Sequence, residues 1–205
     1  EESMEDDDGE VVPEDENADV ASPPDMGDLS KEATDEEREQ MQEIKMKAVE
    51  AMASGDAEGA ARHYTEAIKL APSAMLFASR GLCYLKISKP VATLRDANRA
   101  LEINPDSAKA YKARGKAEAM LGKWVAAVND LATGQSIDFD EETAEVQKHI
   151  QAKADRIHKQ EAKQRAKQRK EEEKAMRKEI ARRKEEAIKR RQQEVEEEEE
   201  GETAE

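Results

Sequence analysis

Small and apolar residues recur through the middle of the chain at steps of four and three. Ala60, Tyr64 and Ala67 form one set, Thr93, Ala97 and Ala100 a second, and Ala127, Leu131 and Gly134 a third. Such steps keep residues on one face of an α-helix, and small side chains there let a second helix cross at close range. Pro72 and Pro105 stop the first two helices, and Phe139 replaces the proline after the third. With the breakers Gly55-Asp56, Pro72-Ser73, Pro105-Asp106 and Gly122, the pattern predicts helices over 42–53, 57–70, 74–87, 90–103, 108–121 and 124–136. Pro90 fits a helix's first turn, where its missing N–H costs nothing.

The helices come in matching pairs. Phe77-(x)2-Arg80-Gly81-(x)2-Tyr84 and Tyr111-(x)2-Arg114-Gly115-(x)2-Glu118 place Gly81 and Gly115 thirty-four residues apart, and Ala48 occupies the same place in a weaker first copy. The turn from Pro72 to Gly81 is one residue shorter than that from Pro105 to Gly115, a change a surface turn tolerates. A period of thirty-four residues with these marks is the tetratricopeptide signature. One such pair cannot bury its apolar face alone, and three pairs, over residues 41–140, meet the minimum for a continuous core. The expected fold is therefore all-α, a three-repeat solenoid whose business is binding other proteins.

Composition confines the core to that region. Of 205 residues, 40% are charged and 3% aromatic, and the net charge is -15, too polar for the whole chain to form one globule. Lys and Arg number 2 against 18 Asp and Glu over residues 1–40, 14 against 15 over 41–147, 18 against 8 over 148–193, and none against 8 over 194–205. Residues 1–40, with Pro13, Pro23 and Pro24, read as a disordered acidic linker, and 194–205 as an acidic tail. The chain does not begin with Met and reads as a fragment. Residues 141–193 should form a capping segment and long charged helix. Val146, Ile150 and Ile157 give its start a modest apolar stripe that can close the solenoid. Beyond His158 the stripe ends, and pairs such as Glu161/Arg165, Glu173/Arg177, Glu179/Arg183 and Glu185/Lys189 stand four apart in the favourable order. Each contributes about 0.2–0.5 kcal/mol, and several together can hold a solvated helix without a core. Met176, Ile180 and Ile188 are too sparse for a coiled coil.

Little chemistry beyond binding is legible. His63, His149 and His158 are scattered, no Ser/His/Asp set or phosphate-cradling loop can be assembled, and Cys83 has no partner at zinc or redox spacing. Cys83 sits beside Tyr84 in a core helix, which predicts a packing role. We expect no enzyme, cofactor or metal. No run of about 18 apolar residues or signal segment is present, which argues against a membrane and for the cytosol. Arg182-Arg183-Lys184 and Lys189-Arg190-Arg191 lack interleaved aromatics, which argues against nucleic acid. Trp124 reads as a packing anchor between the third repeat and the charged helix after it.

The first helix of each pair lines the concave side of such a solenoid, and Lys109, Lys112 and Lys116 recur there at three and four. They form a basic stripe suited to an acidic partner, or one that simply keeps the face soluble.

A more specific resemblance is carried by Ile87-Ser88-Lys89-Pro90, Arg95-Asp96-Ala97, Leu101 through Ala108, Arg114-Gly115-Lys116-Ala117, Leu121-Gly122-Lys123-Trp124 and Ile137-Asp138-Phe139-Asp140-Glu141, followed by the charged helix. Over roughly residues 30–193 the chain resembles the Hip family of cochaperones, which interact with the 70-kDa heat-shock chaperone. The resemblance implies that the repeats and charged helix grip the chaperone's ATPase domain, favour its ADP state and slow nucleotide release, prolonging its hold on clients. Linkage to the ADP conformation requires no covalent step. The residues assigned to that contact are Lys109, Lys112 and Lys116 in the groove and Arg165, Lys167, Arg169 and Lys170 on the helix. The family's N-terminal dimerisation segment and C-terminal Gly-Met-Pro repeats are not seen between Glu1 and Glu205, and some plant relatives fuse a similar region to a thioredoxin module.

Two alternatives stand beside this one. The first is an adaptor that clamps the acidic C-terminal tail of heat-shock chaperones. Lys45 and Lys109 match that clamp, whereas Val49 and Ser79 replace its asparagines and Ala113 its arginine. Each lost charge-assisted bond costs roughly 1.5–3 kcal/mol, so tail binding should be weak. The second is a structural spacer.

Overall fold

A computed structural model describes residues 25–30 and 32–202, the side chains of 192–202 excepted. Most of the linker expected over 1–40, namely 1–24 and 31, and the tail's last residues and side chains lie outside the described residues. Among the described residues there are seven helices and no strand: α1 (Asp35–Ala53), α2 (Ala57–Leu70), α3 (Ala74–Lys86), α4 (Pro90–Ile103), α5 (Ala108–Met120), α6 (Trp124–Ile137) and α7 (Glu141–Glu202). The chain divides into two units, one ending at Asp155 and one beginning at Arg156, and α7 runs through both.

Side-chain caps set most starts. Asp56, Ser73 and Ser107 accept from the backbone N–H groups of Gly59, Leu76 and Ala110, while Pro90 supplies the first residue of α4. The helix expected over 42–53 begins seven residues earlier. Thr34 and Glu37 form a reciprocal capping box there, a polar signal that an apolar pattern does not carry. At the other end α7 continues past 193 to Glu202.

Each helix packs on the next from α1 to α6, so the three pairs stack as an all-α solenoid, and α3 and α5, the first helices of the second and third pairs, also pack on one another. Within each pair a left-handed residue reverses the chain: Gly55 (φ 90°), Ser88 (φ 57°) and Gly122 (φ 71°). One apolar cluster joins Phe77, Leu76, Ile68, Tyr64 and Cys83 across the first two pairs. Burying each large side chain contributes about 1.5–3 kcal/mol. A second gathers Ala119, Ala127 and Leu131 with Ile150, Val146 and Trp124, so the start of α7 caps the third pair. Lys153 Nζ lies 4.3 Å from the centroid of the Trp124 ring. No helix among the described residues is long and apolar enough to cross a membrane.

Two cross-braces lie between helices of a pair. Arg80 on α3 and Asp96 on α4 are both fully buried, and Nε and Nη2 each donate at 2.7 Å to one carboxylate oxygen. Thirty-four residues on, Arg114 and Asp130 repeat the fork, with both side chains partly exposed. Ahead of α1, a short strap reaches the first brace. The Asp25 carbonyl accepts from Arg80 Nη1 at 2.7 Å, Asp25 pairs with Lys69 at 3.7 Å, and Met26 packs on the first cluster. Gly27, at φ 63°, passes so near the Ile68 carbonyl that a Cβ would stand 2.5 Å from it.

Candidate protein-binding groove

Lys109, Lys112 and Lys116 do share one face of α5. Together with Leu82, Asp138, Asp140, Glu142 and Thr143 they line a pocket of about 370 Å³. Behind the stripe α6 presses against α5, and a Cβ at Gly134 would stand 2.8 Å from Lys112 Cγ.

The groove is less basic than its lysines imply. Lys112, with a side chain only 11% exposed, pairs with Asp140 at 2.6 Å and Asp138 at 3.6 Å, and Lys116 pairs with Glu142 at 2.5 Å. Three carboxylates from the α6–α7 corner thus meet the stripe, and an acidic ligand must compete with them. Asp140 is firmly held. Its carboxylate accepts from the Thr143 N–H at 2.7 Å, capping α7, while its backbone exchanges two hydrogen bonds with the Gln135 amide. Hydrogen bonding from Lys112, then from Thr143, holds its carboxyl down at about 2. Asp138 and Glu142 are largely exposed, at 77% and 82%.

Sequence spacing did not reveal these counter-charges, since no periodic rule links residue 112 to residue 140. The Arg80/Asp96 and Arg114/Asp130 forks were also missed, although the signal was present as an Arg before each glycine and an Asp sixteen residues later.

The clamp positions are poorly equipped. Lys109 is exposed and donates at 3.3 Å to the Oγ of Ser79, the hydroxyl that stands in for an asparagine. Val49 is 47% exposed and offers no donor, and Ala113 is fully buried. Lys45 lies on α1 away from the pocket lining.

The other assigned residues stand on the second unit. Arg165 pairs with Glu161 at 3.7 Å, and Lys167, Arg169 and Lys170 are exposed with no ion pair among the described residues. Cys83 is buried, and burial pushes its thiol up to about 11.

No family model matches the chain. The TPR repeat-containing thioredoxin TDX of Arabidopsis thaliana is 43% identical over 167 residues, covering 77% of this chain and 44% of that protein. Hsc70-interacting protein 1 of Drosophila melanogaster is 42% identical over 149 residues, covering 72% of this chain and 39% of its own length. The chain thus spans less than half of either relative. Among solved structures, the second TPR domain of human RPAP3, in complex with an HSP70 peptide, superposes with a TM-score of 0.52 at 26% identity, covering 56% of this chain and 98% of that domain. Three stacked helix pairs of this spacing and this likeness make residues 35–137 a tetratricopeptide-repeat solenoid.

Proposed function

We propose that this chain is the docking part of a cochaperone, which grips the ATPase domain of the 70-kDa heat-shock chaperone in its ADP state and slows nucleotide release. It acts by differential binding and carries no covalent step. The similarity to an Hsc70-interacting protein across 72% of the chain supports the partner class.

The observation that carries the choice of docking mode is the state of the clamp. A groove that takes a C-terminal carboxylate needs donors at the positions filled by Val49, Ser79 and Ala113; Val49 has none to give, and Ala113 is a fully buried alanine. Docking to a folded acidic surface asks for no such ring of donors. Tail binding remains the second reading, favoured by the likeness to a domain bound to an HSP70 peptide.

The test is titration of this chain against the isolated ATPase domain with ADP and with ATP, beside a peptide ending in the acidic tail. Preference for the ADP-bound domain and slowed nucleotide release are expected. Binding to the peptide alone would overturn the docking mode, and binding to neither would overturn the partner.

A further inference from the structure

In α7 beyond Asp155, cations and carboxylates are sorted by face. Arg156, Lys159, Lys163, Lys167, Lys170 and Lys174 follow one another at steps of three, four, four, three and four. At about 100° per residue these steps confine the six to an arc of about 80°, over a length of about 27 Å. The carboxylates between Arg156 and Lys174, which are Glu161, Glu171, Glu172 and Glu173, all fall outside that arc. Arg165 and Arg169 lie on the far side.

Ion pairing follows the same division. Among the described residues the ion pairs of this unit join Arg165 to Glu161, Arg177 to Glu173, Arg182 to Glu179 and Glu186, Arg183 to Glu179 and Lys189 to Glu185. The six cations of the row are exposed and have no ion pair among the described residues. A solvated helix needing only its own stability would spread its cations toward its own carboxylates, as the remainder of this one does.

We propose that this row is a docking face for an acidic ridge on a partner protein, one presenting carboxylates at intervals of about 5.5 Å, the repeat of the row itself. It deepens the reading above and rests on it for the partner's identity. Of the four helix residues assigned from sequence, Lys167 and Lys170 belong to the face, and Arg165 and Arg169 do not. A protein ridge suits the row better than a nucleic acid. No aromatic side chain stands among the six cations, so bases would find nothing to stack on. Insertion into a bilayer does not suit the row, because the opposite face is charged as well and no apolar face is left to bury.

The test uses the full chain and two variants, Lys163→Gln/Lys167→Gln/Lys170→Gln in the row and Arg165→Gln/Arg169→Gln behind it, with helicity checked by circular dichroism. Each is titrated against the ADP-bound ATPase domain, a helical peptide with glutamates at alternating steps of three and four, and a DNA duplex. The row variant should lose about tenfold in affinity for the domain and the peptide, and the other less than about twofold. Equal losses from both variants, or no loss from the row, would overturn the face. Tighter binding to the duplex than to the peptide at physiological salt would overturn the protein ridge as occupant. Binding of the peptide through the row without binding of the ATPase domain would sustain the row and overturn the chaperone reading.

Discussion

Arg80 and Asp96 form a forked ion pair that is fully buried between α3 and α4, with both bonds at 2.7 Å. Nη1 donates to the Asp25 carbonyl and Thr65 Oγ1, at 2.7 and 3.1 Å, and Nη2 also meets Met26 Sδ at 3.3 Å, so the guanidinium is satisfied on every side. Removing the carboxylate would strand a cation in the core. Asp96→Ala should therefore cost about 3–5 kcal/mol in urea-induced unfolding. Asp130→Ala should cost clearly less, because Arg114 is 25% exposed and water can replace the lost partner. Equal losses at the two sites would show that burial does not set the cost.

Gly81 and Gly115 occupy equivalent places, yet their surroundings differ. A Cβ at Gly115 would meet Leu131 Cγ at 2.8 Å and the Ala127 carbonyl at 3.0 Å, whereas at Gly81 the first atom is Asp96 Cβ at 3.5 Å. Gly115→Ala should destabilise by about 1–3 kcal/mol through overpacking. Gly81→Ala should be neutral or gain up to about 1 kcal/mol from helix propensity. Thermal melting of the two variants side by side decides between tight packing and backbone freedom as the reason for glycine.

Burial first, then the negative charge of Asp130, pushes the Glu118 carboxyl up to about 7 from its ordinary 4.5. Between those values the folded chain holds a proton that the unfolded chain has lost. The stabilisation is complete below pH 4.5 and fades as pH rises toward 7. Glu118→Gln should remove this decline and leave stability flatter between pH 5 and 8. A variant whose pH profile overlays that of the parent would place the titration elsewhere.

The Asp138 and Glu142 carboxylates cover the lysine stripe from exposed positions. Asp138→Asn/Glu142→Gln should strengthen binding of an acidic peptide to the groove by roughly three- to tenfold, with steeper salt dependence, measured by fluorescence anisotropy. Asp140 is best left intact, since it also caps α7. Unchanged affinity would mean that these carboxylates do not compete with ligands.

The parts of this fold that sequence reveals are those fixed by short-range geometry. Pro90, Ser73 and Ser107 start their helices where a local rule puts them, and the spacing of Lys109, Lys112 and Lys116 was enough to put them on one face. What escaped reading depends on partners distant in sequence. The charge of Lys112 means little until Asp140 is known to sit 2.6 Å away, and Arg80 looks like a surface residue until Asp96 and Asp25 enclose it. The start of α1 escaped for a different reason, because a reciprocal polar cap leaves no mark in hydrophobic periodicity.

The strap at Asp25 also bears on how the chain assembles. Solenoid contacts are mostly between neighbours and form quickly, but the bond from Arg80 to the Asp25 carbonyl joins residues 55 apart. During synthesis from the N-terminus, Asp25 is made long before its anchor, and that anchor is fixed only once Asp96 has emerged to hold Arg80. The earliest segment of the repeat unit is therefore among the last to find its place, and the first repeat is closed off by the second.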